Sequence, residues 1–220
     1  MAISRRALLK RIGVAGTAAV VPVPLANPGA HDHAEAQAPA APAPREAYET
    51  LTAAESDVLE AVTSRLIPAD ANGPGAREAR AAHYIDRALA GPLASFRTNY
   101  ATGLAAIDAY AQAKKGSRFA QLSAADQDAI LTDVQAGTAA GFPAASGIFF
   151  ALMRNHTIEG TFSDPYYGGN ANFIGWDLIG YPGVRTSVTA AEQQMNSKIA
   201  PNHRSAYDFA MFRKGGTDGR

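Results

Sequence analysis

The chain has 220 residues, 20 Lys and Arg against 20 Asp and Glu, 47% hydrophobic residues and no cysteine. Without thiols there are no disulfides, no Cys-ligated iron–sulfur cluster and no thioether-attached haem. Charge is balanced and no basic run or basic-aromatic stripe occurs, which argues against nucleic acid as a partner.

The first element is Ser4-Arg5-Arg6-Ala7-Leu8-Leu9-Lys10, followed by residues 12–30 without a charge. The adjacent Arg5 and Arg6 with the Leu-Leu-Lys that follows resemble the twin-arginine export signal, a route for proteins that have already folded. The apolar run 12–25 is broken near its end by Pro22 and Pro24 and falls short of the ~20 residues that span a bilayer. A cleaved signal fits it better than an anchor, with Ala34-Glu35-Ala36 as an A-x-A cleavage site and Ala26 and Ala30 as alternatives. His31 and His33 beside Asp32 look like a metal-binding tract but fall in this leader. The implied organisation is a signal peptide at 1–36, an Ala/Pro-rich linker at 37–47, a domain at 48–212 and a flexible tail at 213–220. Removing 1–36 takes four basic and two acidic side chains from the 20 of each, leaving 16 against 18. The expected location is the periplasm.

Helical periodicity dominates the domain, and the predicted fold class is all-α, a small helical bundle. Thr52-Ala53-Ala54-Glu55 is a capping box, and Val58, Leu59, Val62 and Leu66 follow on one face until Pro68. Asn72-Gly73-Pro74-Gly75 is a loop. Residues 77–90 carry Ala81, Tyr84, Ile85, Ala88 and Leu89 at helical spacing, ended by Gly91-Pro92. Residues 94–115 repeat the pattern with Phe96, Tyr100, Leu104, Ile107 and Ala111. Ser123 to Asp126 is a second box, opening a helix with Ile130, Leu131 and Val134. A fifth helix is predicted over about 143–159. Residues 137–153 hold no charge, and reading them as a helix inside the domain or beneath a partner fits better than a membrane span.

From Phe162 the chain changes character. Gly168, Gly169, Gly175, Gly180 and Gly183 fall among Tyr166, Tyr167, Phe173, Tyr181 and Trp176, the only tryptophan. This composition predicts a long ordered loop, because glycine permits φ > 0 and close backbone approach while the aromatics supply rigid contact area. Two roles fit: a loop packed on its own bundle, or a surface for a partner, and long ordered loops are usually kept for a function. The candidate partner-binding residues are Asp164, Tyr166, Tyr167, Gly168, Gly169, Asn170, Phe173, Trp176 and Tyr181. Tyr166, Tyr167 and Trp176 are the best anchors, with burial of Trp176 in its own bundle as the alternative. Further on, Thr189-Ala190-Ala191-Glu192 is another box, predicting a short helix through Lys198. Tyr207, Phe209, Met211 and Phe212 either pack back on the bundle or extend over a partner.

The stretches EGTFSDPYYGGN and GWDLIGYPG resemble the signature of the gluconate 2-dehydrogenase subunit 3 family, and the leader, length and helical pattern agree with it. The resemblance implies a noncatalytic small subunit of a periplasmic flavin-dependent sugar or polyol dehydrogenase. It further implies that FAD and the chemistry sit on a glucose-methanol-choline type large subunit. A cytochrome c subunit carrying haem c often takes the electrons. The small subunit then escorts the large one through the twin-arginine translocase and supports its folding.

The residues themselves agree with that division of labour. No G-x-G-x-x-G follows a strand, and no nucleophile elbow or P-loop occurs. No catalytic, cofactor-binding or metal-ligating residue is therefore assigned to this chain. The alternative reading is a self-sufficient enzyme or metal-binding protein using His156, Glu159 and Asp164, with His83 as a further ligand, since His156 and Glu159 share a helix face. Its structural counterpart has His156 and Glu159 fixing the loop by hydrogen bonds, and Asp164-Pro165 making a turn.

Overall fold

The computed structural model describes residues 46–213. Arg5, Arg6, the cleavage sites, His31, His33, most of the linker and the tail beyond Arg213 lie outside the described residues. These contain six α-helices and no strand, in agreement with an all-α bundle.

Helix α1 spans Ala53–Leu66 and opens on the predicted box, with Thr52 and Glu55 each accepting from the other's backbone N–H. It buries Val58, Leu59 and Val62 and stops two residues before Pro68. Helix α2 spans Ala81–Leu89, a later start than the predicted 77. Ala-rich sequence favours helix, but residues 76–80 are held in turns instead. Ala76 and Ala79 are fully buried, Ala76 N–H returns to the Ile67 carbonyl at 2.8 Å, and Arg80 sits in the left-handed region with φ 60°. The freed carbonyl of Ala79 accepts from Ala171 at 3.1 Å, joining this turn to the aromatic segment.

Helix α3, Arg97–Lys115, follows a 3-10 turn at Ala94–Phe96 and ends at Gly116 with φ 73°. Helix α4, Ala124–Gln135, is capped by Ser123, whose hydroxyl accepts from Asp126 N–H. Helix α5 spans Ser146–Phe162, shifted three residues at each end from the predicted 143–159. The uncharged stretch 137–153 is thus half loop and half helix. The loop forms because Gly137 and Gly141 both take positive φ, and the helix starts where the buried Ser146 hydroxyl donates to the Val134 carbonyl at 2.9 Å. Helix α6 is the single short helix Ile174–Ile179.

Helix α5 runs through the centre, packed on α2 and α4, while α1 lies on α3. Between them sits a core of Leu59, Val62, Ile85, Tyr100, Leu104, Ile107, Phe119, Ile130, Val134 and Met153. The ring of Phe149 lies where a Cβ on Gly103 would be, so α3 and α5 approach closely there. Asp86 on α2 is buried, and its carboxylate accepts the backbone N–H groups of Glu49, Thr50 and Leu51 and the Thr50 hydroxyl. That carboxylate fixes where the chain enters the fold.

The helix predicted from Thr189 to Lys198 does not form. Thr189 and Glu192 make the box hydrogen bonds, but the segment stays in turns. Its side chains are exposed apart from a half-buried Glu192, so no apolar face rewards a nascent helix.

Candidate partner-binding surface

The segment after α5 is a chain of short helical turns. Asp164 caps a 3-10 turn at Pro165–Tyr167, a second runs Ala171–Phe173, and α6 follows directly. Asn170 fixes the fold of this segment. It is fully buried, its side-chain amide donates to the Ser163 carbonyl at 2.8 Å, and its side-chain oxygen accepts Gly175 N–H at 2.7 Å. Gly169 and Gly175 rest on the Gly160 and Thr161 carbonyls of α5 so closely that a Cβ on either would overlap those oxygens. Asn170, Asn172 and Phe173 all have positive φ, which Asn tolerates and a bulky Phe does not favour. The Phe173 ring is held between Trp176 at 5.3 Å and His203 at 5.0 Å.

The predicted site residues divide into two sets. Trp176 is 5% exposed and its indole N–H donates to the Phe162 carbonyl at 2.9 Å, so it joins Gly169 and Asn170 inside this chain. Tyr166, Tyr167 and Tyr181 face outward at 50%, 46% and 39% exposure. Gly168 and Phe173 are half-buried between the sets. The arrangement is a rigid inner mount carrying outer tyrosines.

Asp164 ties this mount to the chain's end. Its carboxylate accepts the Ser205 hydroxyl at 2.6 Å, Ala206 N–H at 2.8 Å and Tyr166 N–H at 2.9 Å. Tyr207 stacks on Tyr166 at 3.6 Å and shares a 2.8 Å hydroxyl contact with Tyr167. That contact, with smaller contributions from burial and nearby charge, pushes the Tyr207 pKa up to about 12. Of Tyr207, Phe209, Met211 and Phe212, Tyr207 packs back on the tyrosines after α5, Phe209 contacts Arg204 and Phe212 within the arm, and Met211 and Phe212 are exposed. Ser205, His203 and Arg204, which hold this arm in place, were not foreseen. The Ser205-x-x-Asp208 spacing, a capping-box match realised here on a 3-10 turn, was the available signal.

The ionisable residues of the alternative reading do not converge. His156 is buried with Nδ1 3.0 Å from the Tyr100 hydroxyl and Phe96 edge-on to its ring. Burial lowers the His156 pKa, opposed in part by Glu159. Glu159 is exposed and accepts the Tyr84 hydroxyl at 3.2 Å, and burial followed by that carboxylate pushes the Tyr84 pKa up to about 12. Asp164 serves the loop and the arm. His83 stacks on Tyr48 at 4.6 Å and lies 3.8 Å from Glu46. Among the described residues no three His, Cys, Asp or Glu side chains gather as metal ligands, and no helix is long and apolar enough to cross a membrane.

A family model described as gluconate 2-dehydrogenase subunit 3 matches residues 53–183. The match begins at the first residue of α1 and takes in all six helices and the aromatic segment, stopping short of the Ser205–Tyr207 arm. No curated protein and no solved structure matches the chain.

Proposed function

This chain belongs to the gluconate 2-dehydrogenase subunit 3 family, and from that premise we propose that it is the noncatalytic small subunit of a periplasmic flavin-dependent sugar or polyol dehydrogenase. Membership in a family of third subunits implies partner subunits. In this reading the principal partner is a glucose-methanol-choline type large subunit that carries FAD and oxidises the substrate. A cytochrome c subunit with haem c passes the electrons on, and the complex is peripheral to the membrane. The translocase reads Arg5 and Arg6, and the small subunit carries its folded partner across.

The observation that carries this reading is the pairing of family membership with tyrosines held outward on a rigid mount. A large flat side chain with few rotors loses little entropy when a partner covers it. The dispersal of His156, Glu159 and Asp164 among separate partners supports a binding role over chemistry in this chain.

Export is the test. Changing Arg5 and Arg6 together to Lys in cells that also make the large subunit is expected to leave both chains and the dehydrogenase activity in the cytoplasm. Undiminished periplasmic activity in that double mutant overturns the escort role.

A further inference from the structure

Helix α5 has a second face that its own bundle covers only in part, at Leu152 and Phe162. Phe149, Phe150, Met153 and His156 point into the core. At three- and four-residue steps on the other side lie Ile148 (66% exposed), Leu152, Asn155, Ile158 (45% exposed) and Phe162. Two charges border this stripe: Glu159 accepts the Tyr84 hydroxyl, and the exposed Arg154 donates to the Asn155 side-chain oxygen at 3.3 Å. Beside its N-terminal half, α3 and α5 bound a groove of about 280 Å³ whose apolar lining includes Phe96, Phe142, Pro143, Ile148 and Leu152. Its polar contributors are Asn99, Thr102 and Asn155, and no charged side chain lines it.

These features specify an occupant. A charge brought into an uncharged apolar groove would lose its hydration without gaining a partner. The matching surface is therefore itself uncharged. A groove running beside a helix accepts a second helix presenting apolar anchors at i, i+3 or i+4, and i+7. The groove has room for one bulky aliphatic or aromatic side chain, the usual form of a binding hot spot. The stripe ends at Phe162, two residues before Asp164, so it continues into the mount that carries Tyr166 and Tyr167.

We infer that the outward face of α5 and the Phe96–Phe142 groove receive an uncharged apolar helix of the large flavin subunit, one bulky side chain of which seats in the groove. This rests on the proposed role as a dehydrogenase small subunit. It places a second contact, aliphatic in character, beside the tyrosines.

The test uses the complex formed by co-expressing this chain with the large flavin subunit. A photoreactive benzoylphenylalanine at position 148 is expected to cross-link to that subunit, and one at Lys114, at the far end of α3, is not. Ile148→Asp should weaken co-purification by roughly 30-fold. Because Ile148 is exposed, the melting of the isolated variant should match that of the parent chain. If the two chains co-purify, yet position 148 gives no cross-link or Ile148→Asp binds as well as the parent, the α5 face is not the docking site while the subunit role stands. If the parent chain binds no large subunit at all, both fail together.

Discussion

Tyr100 and His156, 56 residues apart in the chain, meet at the centre of the bundle with hydroxyl and Nδ1 3.0 Å apart and their rings stacked at 5.9 Å. Burial raises the Tyr100 pKa and lowers that of His156, so the pair is neutral on both sides. A unit charge here would lose hydration that the core does not replace.

The sign of the resulting pH dependence follows. Unfolded histidine titrates near 6.5, and folded His156 binds its proton at lower pH. Between those two values the unfolded chain holds a proton that the folded chain does not, so stability rises with pH through that window and is level above it. His83, lowered by burial and then by Arg80, adds in the same direction. Thermal melting should fall as pH drops from 7.5 to 5, and His156→Gln, which keeps a polar partner for Tyr100, should flatten that slope. A parent chain that melts equally across the range would show that these imidazoles do not govern it.

Trp176→Ala is expected to act on folding. The ring is buried against Phe173 and Tyr181, and its N–H is satisfied within the chain. Loss of about 3–5 kcal/mol of stability should appear in denaturant titration of the isolated chain. If stability is retained and only subunit association falls, the indole belongs to the interface.

Tyr166→Ala combined with Tyr167→Ala should show the opposite pattern. Both rings are about half exposed. The double variant removes the stacking and hydroxyl contacts of Tyr207 and should loosen the arm, while the bundle folds with little change and association with the large subunit weakens by roughly 2–4 kcal/mol, read by calorimetric titration. Unchanged affinity would remove these tyrosines from the proposed interface.

Asp164→Ala tests the arm. It removes three acceptor contacts, to Ser205, Ala206 and Tyr166, at a cost of about 1–3 kcal/mol. The loss should be local, because the arm lies outside the bundle core. Amide exchange at Ala206 and Tyr207 should accelerate at least about tenfold while α1 to α5 keep their protection. Unchanged exchange at those amides would mean that the Tyr166–Tyr207 stack alone holds the arm.

Legibility in the sequence tracked how local each cause was. Thr52–Glu55 and the spacing of Val58, Leu59 and Val62 announced α1 because cap and face lie within one stretch. The false start at residue 77 and the missing helix at Thr189 share a cause. Propensity and caps are local signals, whereas the turn at Arg80 depends on contacts with Ile67 and Ala171, and the 189–198 segment has nothing to pack on. The aromatic segment reads in the sequence as a long ordered loop, whereas the structure places two 3-10 turns and α6 there, and composition carries no information on which rings face inward. That was decided by Asn170 and by Gly169 and Gly175 seating the segment on α5. Asp86 passed unnoticed because a lone carboxylate in a helix reads as solvated surface, while its partners lie 35 to 37 residues away.

Asp86 also has a mechanical meaning. Its carboxylate grips three successive backbone amides at Glu49, Thr50 and Leu51, immediately before the Thr52 cap. A pull on the N-terminus is therefore shared between these bonds and the contact of the Tyr48 hydroxyl with Glu60 on α1 at 2.8 Å. Through α2, which packs on the central α5, the load passes to the middle of the bundle.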